Sequence, residues 1–255
     1  MTFKQIGIRA AKEAGVIIMQ SFRKKKNVRI KYGDQIVTTV DEMSQKKILS
    51  IILDKYPDHS IIAEENVRRK TSSPYTWYID PIDGTQNFVH DLPYFCVSIG
   101  LQYHDYMILG IVYDPCRKDL FCAERGKGAY LNGKKIFVSK ERKLSQSLLI
   151  FDAALHREKN RKIKNLDFFS TQFSRIRMVG AAALDLAYVA QGVAESAIVY
   201  SIHSWDIAAG CLLVEEAGGK VTNFSGDPWY PDMGSVIATN GHIHEPIKKG
   251  LINKN

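Results

Sequence analysis

The spacing of apolar residues predicts two helices near the start of the chain. Between residues 3 and 22, apolar side chains recur every three or four positions, which is the spacing of one helical face. A second such segment runs over 40–56, and Pro57 is expected to end it. The basic segment 23–31 follows the first helix, and residues 31–34 are predicted to form a turn in a mobile loop.

β-branched and aromatic segments predict strands in the middle of the chain. The two longest are separated by His104-Asp105, a two-residue connection typical of a hairpin. Residues 66–74 are polar and basic and are predicted to form a loop. The predicted strands are 60–63, 76–79, 95–103, 106–113, 120–123 and 128–131. This region therefore has an α+β character with antiparallel strands.

After residue 147, strand and helix patterns alternate along the chain, which is typical of an α/β arrangement. The predicted strands are 148–151, 175–179, 196–200, 220–223 and 236–238, and the helices are 159–173, 184–191, 206–217 and 245–251. No linker or repeat divides the chain. We therefore expect one domain over 1–255, whose halves, about 1–145 and 146–255, share one active site.

Composition excludes several classes of protein. The 255 residues are 45% hydrophobic and 24% charged, as in ordinary globular proteins. The four cysteines are irregularly spaced, which favours reduced thiols in a cytoplasmic protein. No apolar run is long enough to cross a membrane, and the first residues lack a signal-peptide pattern. We therefore expect a cytoplasmic protein without a membrane partner.

The net charge of +8 and a pI near 9.2 indicate an anionic partner, either nucleic acid or a phosphorylated metabolite. Solvated helix ends and loops explain any one basic cluster equally well. The clusters lack the interleaved aromatic residues of a single-strand binding surface, and no helix-turn-helix, zinc finger or basic zipper is present in the sequence.

The stretch 80–88 has the strongest chemical character. Asp80 and Asp83 follow a predicted strand, Gly84 permits a sharp turn, and Thr85 opens a predicted helix. A helix N-terminus attracts phosphate, and carboxylate oxygens are the ligands of hard cations. The stretch is therefore suited to hold a cation beside a phosphate.

Three further acids stand at the ends of predicted elements, namely Asp41, Glu64 and Asp206. Each alone is explained by helix capping or by a solvated strand end. If the five acids converge, each pair about 4 Å apart repels by roughly 4 kcal/mol at an effective dielectric near 20. Oxygen ligands select magnesium, manganese or calcium rather than zinc. Two such cations are a device for transferring a phosphoryl group to water.

The arrangement of these residues resembles the inositol monophosphatase family. The resemblance rests on Ala63-Glu64-Glu65, on Trp77 to His90 with its Asp80-Pro81-Ile82-Asp83-Gly84-Thr85 core, and on Ser204-Trp205-Asp206 followed by Glu216-Ala217-Gly218-Gly219. It implies a layered αβαβα sandwich of the inositol monophosphatase and fructose-1,6-bisphosphatase type. It also implies a lithium-sensitive phosphoric monoester hydrolase, which acts as a homodimer on a small phosphorylated metabolite.

The resemblance assigns roles to particular residues. Two or three Mg²⁺ ions would be held by Glu64, Asp80, the Ile82 carbonyl, Asp83 and Asp206. Mn²⁺ could replace Mg²⁺, and Li⁺ and Ca²⁺ would inhibit the enzyme. The catalytic residues would be Thr85, Asp41 and Glu64. In the mechanism that the resemblance implies, metal-bound water attacks the phosphate directly. Residues 23–32 resemble the family's mobile lid, with Lys31 near the third metal.

The substrate half departs from the family. Inositol-specific members carry a glutamate seven residues before the Trp-Asp aspartate, and this chain has Val199 there. The implied substrate-binding residues are Asp83, Gly84, Thr85, Asp152, Gly180, Ala181, Ala182, Val199 and Asp206, with Asp152 as a candidate hydroxyl acceptor. We expect weak or broad activity on inositol 1-phosphate-type esters of a small polyol or sugar. Fructose 1,6-bisphosphate, a nucleotide (3′-phosphoadenosine 5′-phosphate or NADP) and histidinol phosphate stay open as substrates. Glycerol 2-phosphate also stays open.

A different class of function is also open. Some bacterial members of the family work with the transcription machinery, and the basic pI would suit an RNA or RNA polymerase neighbourhood. No motif in the sequence encodes that partner. Retention of all five acids argues against a purely non-catalytic, regulatory protein.

Overall fold

The computed structural model describes residues 1–32 and 35–252 of the chain. Its α-helices are α1 Phe3–Ser21, α2 Thr39–Lys55, α3 Thr85–Val89, α4 Lys159–Ser170, α5 Ala182–Ala190, α6 Ser204–Glu216 and α7 His244–Ile252. Its strands are β1 Val28–Tyr32, β2 Gln35–Thr38, β3 Ser60–Ala63, β4 Val67–Arg69, β5 Tyr75–Asp83, β6 Cys96–Tyr103, β7 Tyr106–Asp114, β8 Asp119–Glu124, β9 Gly128–Leu131, β10 Lys134–Ile136, β11 Leu148–Phe151, β12 Arg175–Arg177, β13 Ser196–Val199, β14 Lys220–Thr222 and β15 Val236–Thr239.

The first layer consists of α1 and α2, which begin at capping boxes. Thr2 and Thr38 each precede a helix, and each side chain accepts a hydrogen bond from a backbone N–H of the first turn. Buried alanine and isoleucine side chains of the two helices pack on one face of a large sheet. The two predicted amphipathic helices are therefore confirmed to within a residue at each end.

The large sheet has the strand order β10-β9-β8-β7-β6-β5-β3-β4, and it is antiparallel except where β3 pairs with β5. Its other face packs against α5 and α6, which in turn pack against a second sheet. That second sheet has the order β12-β11-β13-β15-β14, with β15 antiparallel to its neighbours. Helices α4 and α7 cover its far side. The layers therefore follow the expected αβαβα order.

Several connections are more regular than the sequence predicted. A hairpin of β1 and β2 lies where a loop was expected, and Lys31 belongs to β1. The predicted turn at 31–34 includes residues 33 and 34, which lie outside the described residues. The predicted loop 66–74 contains β4, because β3 would otherwise leave its outer edge unpaired. Helix α4 ends at Ser170, three residues before the predicted end.

Two further observations concern the cysteines and the length of the helices. Cys96, Cys122 and Cys211 are buried free thiols, and Cys116 is half-buried and free. Over residues 1–32 and 35–252, no helix is long and apolar enough to span a bilayer.

Candidate active site

Three carboxylates converge between the large sheet and helix α6. Asp80, Asp83 and Asp206 are buried, and one oxygen of each lies within 4.8 Å of the others. The register of β5 against β6 shifts between Asp80 and Asp83, so the strand is irregular where the acids stand. Asp206 is in the first turn of α6. Asp83 and Asp206 therefore lie close together, as the sequence predicted, although they are 123 positions apart in the chain.

Backbone hydrogen bonds fix the orientation of each acid. Asp80 Oδ1 accepts from the N–H of Ile82 at 2.8 Å, and Asp206 Oδ2 accepts from the N–H of His203 at 3.1 Å. The two oxygens of Asp83 accept from the N–H groups of Ala182 (3.1 Å) and Ala183 (2.7 Å). The first turn of α5 is thereby tied to the end of β5. A helix start beside a carboxylate is also electrostatically favourable.

The acids are poorly compensated within the protein. Burial raises the pKa of Asp83 to about 6, and it raises the pKa values of Asp80 and Asp206 well above their usual range. Repulsion among these carboxylates and from Glu64 acts in the same direction. A bound cation would reverse both effects, because it replaces lost hydration and offsets the negative charges.

Glu64 lies at the end of β3 and lines the same cavity as the three aspartates. Its Oε1 accepts a hydrogen bond from Lys31 Nζ at 2.8 Å. Its Oε2 is buried and has no hydrogen-bond partner among the residues that the structure describes. An orphaned carboxylate oxygen is costly to bury, and it suits a cation ligand. The chemistry of the donor set therefore fits a hard cation.

Lys31 approaches this acid from the β1–β2 hairpin, where its ammonium group pairs with Glu64 and Glu65. Burial alone would lower the pKa of Lys31, but the two glutamates outweigh burial and raise it. Lys31 therefore contacts Glu64 and Glu65, while its expected place near a third metal stays a prediction.

Thr85 and Asp41 form a second unit beside the acids. Thr85 Oγ1 lies 3.0 Å from Asp41 Oδ1 and 2.9 Å from the carbonyl oxygen of Ile82. Burial raises the pKa of Asp41 to about 6, although hydrogen bonds from Thr38 oppose the shift. Asp41 is at the third position of α2, so it both closes the capping box and orients the Thr85 hydroxyl.

Gly84 makes the close approach of the two halves possible. Its φ of +91° places it in the left-handed region, and an added Cβ would lie 3.1 Å from the Cβ of Ala181, which belongs to the second half of the chain. Gly180, also left-handed at +88°, stands opposite, two residues before α5. Helices α3, α5 and α6 thus all begin at the same cavity.

The cavity has a volume of about 510 Å³. Of the predicted site residues, all but Asp41 and Ala181 line it, and Asp41 acts on it through Thr85. The residues it collects are Glu64, Asp80, Ile82, Asp83, Gly84, Thr85, Asp152, Gly180, Ala182, Val199 and Asp206.

Asp152 and Val199 lie on the side of the cavity formed by the second sheet. Asp152 Oδ1 accepts from Ala154 N–H (2.7 Å) and pairs with Lys162 Nζ (3.1 Å), and its Oδ2 accepts from Tyr200 N–H (3.0 Å). Val199, at the end of β13, is 4% exposed. The role of Asp152 as a hydroxyl acceptor stays a prediction, but both of its oxygens already have partners.

Sequence reasoning missed several groups that line the cavity or contact the residues that line it. Asp185, in the first turn of α5, is buried and accepts from Tyr94 Oη at 2.6 Å. The thiol of Cys96 lies 3.6 Å from Asp83 Oδ2. The position of Asp185 in the first turn of a predicted helix could have marked it as a candidate site residue. However, acids are common at helix starts that have no functional role. A fully buried Lys162 is not recognisable from a segment rich in exposed basic residues.

Comparison with known proteins identifies the class to which this arrangement belongs. The model of the family described as "Inositol monophosphatase family" matches residues 2–254. The chain belongs to the inositol monophosphatase family, as the sequence motifs predicted.

Individual relatives are similar over almost their whole length. The inositol-1-monophosphatase of Synechocystis is 38% identical over 255 residues, covering 98% of this chain and 88% of that protein. The protein named Nus factor SuhB of Pseudomonas aeruginosa is 37% identical over 247 residues, covering 92% and 90%. The solved structure of a Thermotoga maritima IMPase has a TM-score of 0.93 at 35% identity, covering 99% and 98%. The fold class predicted from the sequence is therefore confirmed.

Proposed function

We propose that this protein hydrolyses a phosphate monoester of a small polyol or sugar in a Mg²⁺-dependent reaction. The observation that carries the proposal is the convergence of buried Asp80, Asp83 and Asp206 beside the Thr85–Asp41 pair. Membership of the inositol monophosphatase family, whose members act on small phosphorylated metabolites, supports the same reaction class.

The donor set is that of a hard-cation site. Its members would be Glu64, Asp80, the Ile82 carbonyl, Asp83 and Asp206, with the orphaned Oε2 of Glu64 as an open ligand position. Bound Mg²⁺ would lower the pKa of a coordinated water and offset the charge of the phosphate. The neutralised carboxylates would then stay ionised at neutral pH, in spite of their burial.

Thr85 would orient the attacking water. Its Oγ1 can accept a hydrogen bond from that water while its own proton lies toward Asp41 Oδ1 or the Ile82 carbonyl oxygen. Asp41 would hold the hydroxyl in this orientation, because its other oxygen is fixed by the N–H of Thr38 at 2.9 Å. Such positioning of a proton acceptor typically contributes a factor of roughly 10²–10⁴ to the rate.

The phosphate would lie at the start of α3. The N–H groups of the first helical turn have no partner within the helix, and the first internal bond runs from Phe88 N–H to the Gly84 carbonyl at 3.0 Å. The N–H groups of Gly84 and Thr85 would therefore bind phosphate oxygens. The leaving alkoxide would take its proton from solvent. Because water attacks the phosphate directly, the reaction needs no covalent phosphoenzyme and no activated serine or cysteine nucleophile.

A phosphate-release assay tests the proposal. Purified protein with Mg²⁺ is expected to release inorganic phosphate from at least one ester in a panel that includes inositol 1-phosphate, glycerol 2-phosphate and fructose 1,6-bisphosphate. Release should cease when the ion is chelated. Absence of Mg²⁺-dependent release across the panel would contradict the proposal.

A second role is favoured by one comparison. Relatives about 37% identical are named Nus factor SuhB, and this chain carries a net charge of +8. An association with RNA or with a transcription complex would then accompany catalysis. Its test is RNA binding that weakens steeply with salt and survives Asp206→Asn, since phosphate contacts release counterions and do not need the carboxylate site.

A further inference from the structure

Hydrogen bonds outside the acidic cluster join the two halves of the chain beside the cavity. They run from residues 87–94, in α3 and the loop after it, to residues 179–185 at the start of α5. We propose that Asn87, Tyr94 and Asp185, together called the clasp, are positioning residues for the reaction. They hold the second half's side of the cavity in register with the site of the scissile phosphate. This inference rests on the proposed function.

Asn87 provides the first link of the clasp. It belongs to α3, whose start is the proposed phosphate site, and it lines the cavity. Its Nδ2 donates to the carbonyl oxygen of Tyr94 at 2.8 Å and to the carbonyl oxygen of Val179 at 2.8 Å. The carbonyl oxygen of Gly180 lies farther away, at 3.4 Å. One amide group therefore ties the loop after α3 to the residue that precedes Gly180.

Tyr94 provides the second link, because its hydroxyl donates to Asp185 Oδ1 at 2.6 Å while its carbonyl oxygen accepts from Asn87. Both side chains of this link are buried, and Asp185 lines the cavity. The Tyr94 ring also packs edge-on against Tyr188 of α5, with ring centroids 5.8 Å apart. Breaking the bond would leave two buried polar groups without partners, so the link resists displacement.

The clasp holds both ends of the segment that carries predicted substrate contacts. Val179 and Asp185 flank residues 180–182, and each is bonded to the first half. Between these two bonds the backbones approach closely, since a Cβ added to Gly84 would lie 3.3 Å from the carbonyl oxygen of Gly180. The position of this segment relative to the start of α3 is therefore fixed.

This register matters for attack on an ester. The leaving oxygen has to lie roughly in line with the attacking water, so the organic group and the phosphate need a defined relative position. The phosphate would bind at the start of α3, and the organic group would contact residues 180–182 of the second half. A misplacement of about 1 Å can lower a rate by roughly 100-fold. Inorganic phosphate has no organic group, so its binding needs no such register.

Steady-state kinetics of Tyr94→Phe and Asn87→Ala tests the inference. The substrate is the ester that the wild type hydrolyses fastest among inositol 1-phosphate, glycerol 2-phosphate and fructose 1,6-bisphosphate, and inorganic phosphate is the competing inhibitor. We expect kcat/KM to fall by about 10- to 100-fold in each variant, because the ester is held out of register. The inhibition constant of inorganic phosphate should stay at the wild-type value.

Two matched controls remove the same chemical groups elsewhere. Tyr106→Phe lies in the β6–β7 hairpin, where Tyr106 is 66% exposed, and Asn160→Ala lies on the exposed surface of α4. Neither residue is among the described residues that line the cavity. Both controls should keep the wild-type kcat/KM, and thermal melting verifies that each variant is folded.

Conservative variants distinguish positioning from a general loss of stability. Asp185→Asn keeps an oxygen that can accept from the Tyr94 hydroxyl, and it should keep most of the wild-type kcat/KM. Asp185→Leu has a similar shape without an acceptor, and it should lose about as much as Tyr94→Phe. The double variant of Tyr94→Phe and Asp185→Leu should lose little more than either single variant, because both remove the same hydrogen bond.

Two results would overturn the inference. Wild-type kcat/KM in folded Tyr94→Phe and Asn87→Ala would show that the clasp serves stability alone. An inhibition constant of phosphate that rises in parallel with the loss of kcat/KM would show that these residues act on the phosphate site itself. Either result leaves phosphate release by the wild type, and therefore the proposed function, intact. If the wild type hydrolyses none of the three esters, the proposed function fails, and the inference fails with it.

Discussion

Oγ1 of Thr85 lies 3.0 Å from Oδ1 of Asp41, although the two residues are 44 positions apart in the chain. Asp41 belongs to the first turn of α2, and Thr85 opens α3 directly after the acidic end of β5. The other oxygen of Asp41 closes the capping box of its own helix. One carboxylate thus fixes a helix start and a hydroxyl group beside the acidic cluster.

Thr85→Ala tests the role of that hydroxyl. We expect kcat to fall by roughly 10²–10⁴-fold, because the variant removes the group that orients the water. Thr85→Ser keeps the hydroxyl and should retain most of the turnover. Steady-state kinetics with a good ester measures both variants. Full activity in folded Thr85→Ala would contradict the assignment.

Val199→Glu tests the origin of substrate preference. A new carboxylate at the end of β13 supplies a hydroxyl acceptor and adds a negative charge to the cavity. We expect kcat/KM for inositol 1-phosphate to rise by about 10-fold, corresponding to roughly 1–1.5 kcal/mol for one hydrogen bond. Val199→Gln, which has the same shape without the charge, is the control for repulsion of anionic esters. A loss of activity on both inositol 1-phosphate and fructose 1,6-bisphosphate would argue against a specificity role for this position.

His244 predicts a pH dependence of stability. Burial lowers its pKa to about 4, and its two ring nitrogens bond to the hydroxyls of Thr222 (2.9 Å) and Thr239 (3.0 Å). The unfolded chain protonates this histidine near pH 6.5, whereas the folded chain does not. The contribution is therefore complete above about pH 6.5 and is lost as the pH falls toward 4, by about 2–3 kcal/mol.

Urea denaturation at a series of pH values measures this effect. The difference in unfolding free energy between wild type and His244→Gln should be largest above pH 6.5 and should shrink on acidification. Using the difference removes the contributions of the other titrating groups. A difference that does not vary between pH 4 and 7 would contradict the burial of a neutral imidazole.

Two glycines of the large sheet predict unequal effects of the same substitution. A Cβ on Gly110 would lie 2.5 Å from the backbone oxygen of Ala209 in α6, whereas a Cβ on Gly100 would meet the flexible end of Met107 at 2.8 Å. We expect Gly110→Ala to destabilise the protein by about 1–3 kcal/mol or more. Gly100→Ala should cost less, because Met107 can move. Equal midpoints in urea would contradict this packing.

The sequence predicted the elements that end at the acids better than it predicted the connections. Asp80, Asp83 and Asp206 stand where the strand and helix patterns are clear. The motifs that contain them resemble those of the inositol monophosphatase family, and this resemblance predicted the fold. The β1–β2 hairpin and β4 were missed because their segments are basic and polar, and their pairing depends on neighbouring strands. Local propensity does not report such tertiary partners.

The substrate side was harder still. A patch of basic residues at 157–164 gives no sign that Lys162 is buried against Asp152 while Lys164 is exposed. That distinction depends on the rotation of α4 over the second sheet. Asp152 therefore was predicted as a hydroxyl acceptor from its position alone, before the partners of its oxygens could be known.

The most direct test of the account compares Asp206→Asn with the wild-type protein. Asp206→Asn keeps the side-chain shape and removes a charge from the acidic cluster, and Asp54→Asn, on the exposed face of α2, is the matched control. Mg²⁺ should raise the melting temperature of the wild type and of Asp54→Asn, and both should release phosphate from the same ester. Folded Asp206→Asn should lose the Mg²⁺-dependent rise in melting temperature and all measurable phosphate release. If folded Asp206→Asn kept wild-type phosphate release, the carboxylate cluster would not be the catalytic centre.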